Sequence, residues 1–275
     1  MQLRKKISVL TFGILAHTAF LFATPAPVAA QAYPSKAVRI IVPFPPGGNT
    51  DIYARPVSAK MADLYGKQMI VDNRPGAGGS LGMQVAAAQP PDGYTLVWGS
   101  TSTHGVGPNV YKKLPYDSLN DITPISVVGG SPFVMLVNPN KIAAKNVKEL
   151  QALIKSKPGQ FNYGSSGNGT IIHLAGEMFV DAIGGEVSHI PYKGMGPMLT
   201  DLMSGQVEMG VAAVAAVQGY LKSGALRAIG VMGKSRVASL PDVPTIAEQG
   251  FPEVDAVGWF AVAGPAKLPA AHVKR

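Results

Sequence analysis

Two segments carry the residue types from which an anion site can be built. The first is Val42-Pro43-Phe44-Pro45-Pro46-Gly47-Gly48-Asn49-Thr50-Asp51, and the second is Asn162-Tyr163-Gly164-Ser165-Ser166-Gly167-Asn168-Gly169-Thr170. Both read as strand, glycine-rich turn and helix start. Glycine lets the backbone come close to a ligand, and small hydroxyl or amide side chains stand where helix N-caps belong. The first turn of a helix leaves its N–H groups without intrahelical partners, at the positive end of the helix dipole, so an anion is favoured there. Two such ends facing one another across a cleft make a carboxylate trap that needs no arginine. Each segment alone also fits an ordinary strand-to-helix turn; it is the pairing that points to a ligand.

Catalytic motifs fail on inspection. Gly164-Ser165-Ser166-Gly167-Asn168 resembles the hydrolase pattern G-x-S-x-G, but asparagine stands at the closing glycine. Gly233-Lys234-Ser235 ends like a P-loop, yet Ala228 occupies the upstream glycine position. Gly76, Gly78 and Gly82 imitate a dinucleotide fingerprint but follow Asp72-Asn73-Arg74-Pro75 rather than an apolar strand. His104, His173, His189 and His272 show no metal-ligand spacing. His173, three residues into the second helix, either reaches the ligand or packs and hydrogen-bonds. No catalytic residue, metal or cofactor is expected.

The elements that must position these loops alternate along the chain. Apolar, β-branched runs at 38–44, 68–71, 95–99, 125–128, 133–137, 161–164, 187–190, 207–211 and 226–231 read as strands. Helical patterns fall at 50–65, 81–88, 147–156, 170–183, 195–204 and 214–223. Repeated strand–loop–helix order with strands buried on both faces predicts a mostly parallel α/β architecture. Pro56 lies inside the first helical pattern, so that helix either starts late or bends.

Arg4, Lys5 and Lys6, the apolar stretch 7–23 and a small-residue Ala30-Gln31-Ala32 site form a secretory signal peptide over 1–32. Its removal leaves 21 basic against 16 acidic residues, a net charge of +5. The basic residues are scattered and aromatics are few, so no nucleic-acid partner is expected, while a mildly positive field helps draw in an anion. With no cysteine the chain has no disulfide and no lipid-anchored thiol, so stability must come from a core. The mature protein is expected in the periplasm, as a monomer with no membrane anchor.

Taken together, several blocks resemble the solute-binding receptors of tripartite tricarboxylate transporters, also called the Bug family. They are Arg39-Ile40-Ile41-Val42-Pro43-Phe44-Pro45-Pro46-Gly47-Gly48, Asp72-Asn73-Arg74-Pro75-Gly76-Ala77-Gly78-Gly79, Pro91-Asp92-Gly93-Tyr94, Lys113-Leu114-Pro115-Tyr116-Asp117, the second glycine loop with His173-Leu174-Ala175, His189-Ile190-Pro191-Tyr192-Lys193-Gly194, and Leu240-Pro241-Asp242-Val243-Pro244-Thr245. The resemblance implies a two-domain α/β periplasmic-binding-protein (Venus flytrap) fold with parallel-rich sheets and the ligand cleft between domains. Residues 33–130 plus 251–275 would form domain 1 and 131–250 domain 2, hinging on the ligand. It implies a small-molecule carboxylate ligand held by Phe44, Gly47, Gly48, Thr50 and Asp51 from the first loop and Ser165, Ser166, Asn168, Gly169, Thr170 and His173 from the second. It also implies integral-membrane transporter subunits as partners. Asp51, an odd neighbour for an anion, either caps backbone donors or holds a bridging water.

Two departures from the family pattern stand out. Val211 and Ala212 replace an acidic or aromatic pair, which argues against an amino-acid ligand. Relatives also continue about fifty residues beyond Gly264-Pro265-Ala266, so the C-terminal part of domain 1 reads as truncated, with an apolar face left open. The function expected is delivery of a captured carboxylate to a transporter. A sensing receptor is the alternative, and an exported serine esterase acting through Ser165 or Ser166 a remote one.

Overall fold

The structure, a computed structural model, describes residues 33–274. The secretory signal expected over 1–32 therefore lies outside the described residues. The first sheet contains β1 (Val38–Val42), β2 (Met69–Asn73) and β3 (Thr95–Ser100). Val38, Ile40 and Val42 pack on one face with Trp98 and Phe260, while Ile41 packs on the other with Val97 and Ala263. Successive strand side chains point to opposite faces; because both faces are covered, the strand is apolar on both, interrupted by Arg39, which pairs with Asp72. Helices α1 (Asn49–Tyr65) and α2 (Ser80–Ala87) supply the cover. The second sheet contains β5 (Phe161–Ser165), β6 (Val187–Pro191), β7 (Met209–Ala213) and β8 (Arg227–Met232). It packs against α3 (Val147–Ser156), α4 (Ile171–Ile183), α5 (Met195–Ser204) and α6 (Val214–Lys222) around a larger core centred on Phe133, Leu136, Phe179 and Met198.

Two strands join these halves. β4 (Ile122–Val137) is one sixteen-residue strand where two were expected. It runs antiparallel to β9 (Val257–Pro265) through Pro132, and from Phe133 onward lies between β7 and β8, antiparallel to both. The sequence hides this continuity because residues 126–131 are mostly small or exposed, so the apolar pattern breaks where the strand leaves one core for the other. β9 carries no expected strand at all. The parallel ladders fall where strand–helix–strand order puts them, β1 with β2 and β3, and β5 with β6 and β7. The sheet as a whole is mixed, because β9 pairs antiparallel with β3 and β4.

α1 begins at Asn49 and runs through Pro56, so the late start is excluded and the proline is carried inside the helix. Ile70 and Val127, on β2 and β4, are exposed apolar residues of the first sheet.

Helix α4 packs on β5 closely enough to be tested. A Cβ on Gly176 would lie 2.2 Å from the ring of Tyr163, which is buried and held by Glu177. Overpacking costs about 1–3 kcal/mol, more than the ~1 kcal/mol that alanine gains over glycine in a helix. Gly176→Ala is therefore expected to lower the urea midpoint. Gly219→Ala in α6, where a Cβ meets nothing within 4 Å, is expected to raise it.

Candidate functional site

The two glycine loops open into one region between the sheets. β1 ends at Val42 and the chain turns through Gly47, whose φ of 71° favours glycine, into the first turn of α1. Gly48 is the N-cap and offers no side chain, so no side-chain cap closes α1. Asp51, buried in that turn, points backward. Its Oδ2 accepts the Gly47 N–H at 2.9 Å and Arg55 Nε at 2.7 Å, and its Oδ1 accepts Asn73 Nδ2 at 2.8 Å. Burial penalises the Asp51 carboxylate, but the bonds from Arg55, Asn73 and Gly47 outweigh it and hold its pKa below the ordinary value. Asp51 thus locks the loop's shape.

The second loop leaves β5 at Ser165 and enters α4 through Thr170. The Thr170 hydroxyl caps α4 by accepting the His173 N–H at 3.2 Å, and donates to Gly167 O at 2.8 Å. Ser166 donates to Thr170 Oγ1 at 3.1 Å. Gly169, with φ of 69°, sits where a Cβ would strike the Tyr111 ring at 2.5 Å. Tyr111 comes from the opposite half and donates to Asn168 O at 2.6 Å. A second bond crosses the gap where Ile171 N–H, in the first turn of α4, donates to Ser102 Oγ at 3.1 Å.

A cavity of about 30 Å³ is lined by Phe44, Gly48 and Thr50 from the first loop, by Ser166 from the second, and by the first-turn residues Ile171 and Ile172 of α4. The start of α1 and the start of α4 therefore face a common space. No charged side chain lines it among the described residues. A neighbouring cavity of about 420 Å³ shares Phe44 and Ser166, and adds Asn168, Tyr111, the Gly76–Gly79 loop and Lys193. The first volume admits only a water or two; the second lies within the range of small-molecule pockets.

Of the expected site residues, Phe44, Gly48, Thr50, Ser166 and Asn168 line these cavities. Gly47, Asp51, Ser165, Gly169, Thr170 and His173 lie outside both linings and shape the loops. Ser165 has no exposed surface; its Oγ accepts the Gly167 N–H at 3.1 Å and lies 2.6 Å from His189 Nε2. A serine–histidine bond is the pairing nucleophilic enzymes use, but this serine opens into neither cavity. His173 turns away from the cleft, its ring stacked 4.1 Å from that of His189. Burial holds the pKa of His173 below the ordinary histidine value against the pull of Glu177. Burial and then His173 push His189 down to about 4, with Glu177 opposing. Val211 and Ala212 are buried within β7 and line neither cavity.

Several lining residues escaped the sequence reading. Asn49 lines the small cavity, and its side-chain oxygen is buried without a hydrogen-bond partner. Ser100 lines it from the end of β3, and Thr101 and Ser102 from the π-helical turn that follows. The run Ser100-Thr101-Ser102-Thr103 follows a strand just as the two glycine loops do, and that was the available signal. Trp259 enters from β9, where Thr101 Oγ1 accepts its backbone N–H at 2.8 Å; nothing local in the sequence marks it.

The model of the tripartite tricarboxylate transporter family receptor matches residues 53–275. The chain is 40% identical over 241 residues to the protein BugT of Bordetella pertussis, covering 87% of this chain and 74% of that one. It is similar to a solved R. palustris protein with adipate (TM-score 0.86, 33% identity, 88% of this chain and 81% of that one). It is also similar to MatC from Rhodopseudomonas palustris with bound malate (TM-score 0.83, 29% identity, 88% and 82%). The α/β periplasmic-binding-protein fold implied by the sequence resemblance is the fold shared with such structures.

The Asp51 lock carries a pH signature. A depressed carboxylate pKa contributes stability above the unfolded value, near 3.8, and loses it as pH falls through the lower folded value. Wild type should melt above Asp51→Asn at pH 6, and the gap should close as pH falls below about 4. A gap that is constant with pH would show that charge plays no part in the lock.

Proposed function

Since this chain belongs to the tripartite tricarboxylate transporter receptor family, we propose that it captures a small carboxylate-bearing solute in the periplasm and delivers it to integral-membrane transporter subunits. The observation that carries the reading is the meeting of the α1 and α4 N-termini on one cavity whose lining, among the described residues, includes no cationic side chain. Backbone N–H groups at helix starts bind carboxylates through directed donors and dipole, and need no counter-charge to do so. Gly48 leaves α1 without a side-chain cap, and the buried Asn49 side-chain oxygen, which has no hydrogen-bond partner, is an acceptor that suits a ligand hydroxyl and not the carboxylate itself. In this reading Ser102 Oγ stands on the Ile171 N–H where a ligand carboxylate would lie.

The small cavity is too tight for a dicarboxylate, so binding goes with opening of the cleft. Residues 33–130 with 251–275 form one lobe and 131–250 the other, moving about the point where β4 passes from β9 to its partners in the second sheet. The ligand's head group takes the helix ends, Phe44 and Trp259 cover it, and its remainder extends past Phe44 and Ser166 into the larger cavity. Lys193 there is the cation for a second anionic group. Adipate and malate, bound by the two R. palustris proteins, are molecules of this kind. The chain acts as a monomer. No helix among the described residues is long and apolar enough to cross a membrane, so contact with transporter subunits falls to the protein's surface.

A thermal-shift screen of linear dicarboxylates, hydroxy acids, amino acids and neutral analogues tests this. At 100 times its dissociation constant a true ligand adds about 2.7 kcal/mol, which raises the melting temperature of a domain this size by roughly 5–10 °C. Asn49→Asp, which sets a negative charge beside the bound carboxylate, should then weaken the responding ligand about tenfold or more, since like charges brought together cost several kcal/mol. Ser165→Ala should leave no ester-hydrolysing activity to lose. A cooperative melt that no carboxylate moves would sink the ligand class.

A further inference from the structure

Behind the second loop, on the side of α4 away from the cavities, the fold gathers a cluster that ligand capture does not use. His173 and Glu177 stand four residues apart on α4 and so share a face, with His173 Nε2 3.6 Å from Glu177 Oε1. His189, on the edge strand β6, lays its ring on that of His173. One donor atom from each of the three residues lies within 4.8 Å of the others.

We propose that His173, Glu177 and His189 form a binding site for a divalent transition-metal ion of the zinc type. Two imidazoles and one carboxylate with an open remaining position suit zinc and its first-row neighbours, whereas calcium and magnesium take sets of oxygens. Ligand bonds of about 2.0–2.2 Å set donor atoms roughly 3.3 Å apart around a tetrahedral ion. The cluster must therefore contract by up to about 1.5 Å, which asks for side-chain rotation within it; Glu177, half-exposed, has the most room to turn. Outer partners of the kind metal sites use are already in place. Ser165 Oγ holds His189 Nε2, which leaves the other ring nitrogen for the ion, and the Tyr163 hydroxyl donates to Glu177.

Binding reaches the loop through a proton on His173. The Gly169 N–H donates to His173 Nδ1 at a long 3.4 Å, which places the ring proton on Nε2. Coordination through Nε2 moves that proton to Nδ1 and breaks the Gly169 contact. The ion thus changes the backbone between Gly167 and Thr170, and this holds whether or not the cavities take a carboxylate.

The test uses tag-free protein titrated with cobalt(II) and then zinc(II). One equivalent of cobalt should give the visible absorption band of a four- or five-coordinate centre, and zinc should abolish it. His173→Gln and His189→Gln should each weaken binding at least about tenfold, and Ser165→Ala by a similar or smaller factor, while His272→Gln leaves it unchanged. X-ray absorption on the wild-type cobalt complex should count two imidazole nitrogens, a readout that needs no variant to fold. No band at millimolar cobalt, fewer than two imidazoles, or unchanged affinity in both cluster histidine variants overturns the proposal.

Discussion

The antiparallel ladder between β4 and β9 is the constraint on which the rest of the structure depends. β4 spends its first half on β9 and its second half between β7 and β8, so one run of backbone hydrogen bonds belongs to both sheets. Everything that faces the cavities is set by that continuity. The ends of β1 and β3 and the end of β5 are brought opposite one another only because β4 and β9 hold the two sheets in register. Gly258 shows how tightly the crossing is packed, since a Cβ there would come within 2.7 Å of the Phe133 ring.

On this frame the site is built from donors that the protein does not use up. Gly48 and Thr170 mark two treatments of a helix start. α1 begins without a side-chain cap and α4 begins with one, yet the threonine hydroxyl occupies only the His173 N–H and leaves the earlier groups of the turn to other partners. One of these, Ile171, is taken by Ser102 across the cleft. Ser102 and Tyr111 thus link the two halves through polar contacts to the very loop that forms the second wall. Such bonds are each modest in net free energy, about 1 kcal/mol, so the halves can part without a large penalty.

Charge is handled indirectly throughout. Asp51 is the charged group nearest the helix start, and it is spent on loop geometry through Gly47, Arg55 and Asn73. Burial lowers the pKa of His173 and of His189, His173 lowers that of His189 further, and Tyr163, Glu177 and Ser165 complete a network on the far side of the same loop. The loop from Gly167 to Thr170 is therefore held from two directions, by cavity-side contacts to Tyr111 and Ser102 and by the histidine cluster behind it.

The strands and helices were legible from periodicity because each buries its apolar face locally; α3 and α5 run over the residues the pattern marked. The two glycine loops were legible for the same reason, since turn chemistry and N-caps act within a few residues. β4 as one strand, β9 and the pairing of His173 with His189 were not legible. Each depends on partners far away in sequence, and a spacing of sixteen residues between two histidines means nothing until a helix and a strand fold back upon each other. The chain by itself determined what each loop offers, namely backbone donors, small side chains and an aspartate in the first helical turn. Tertiary structure alone decided which of them face the cavity, because direction is fixed by long-range strand pairing and not by residue type.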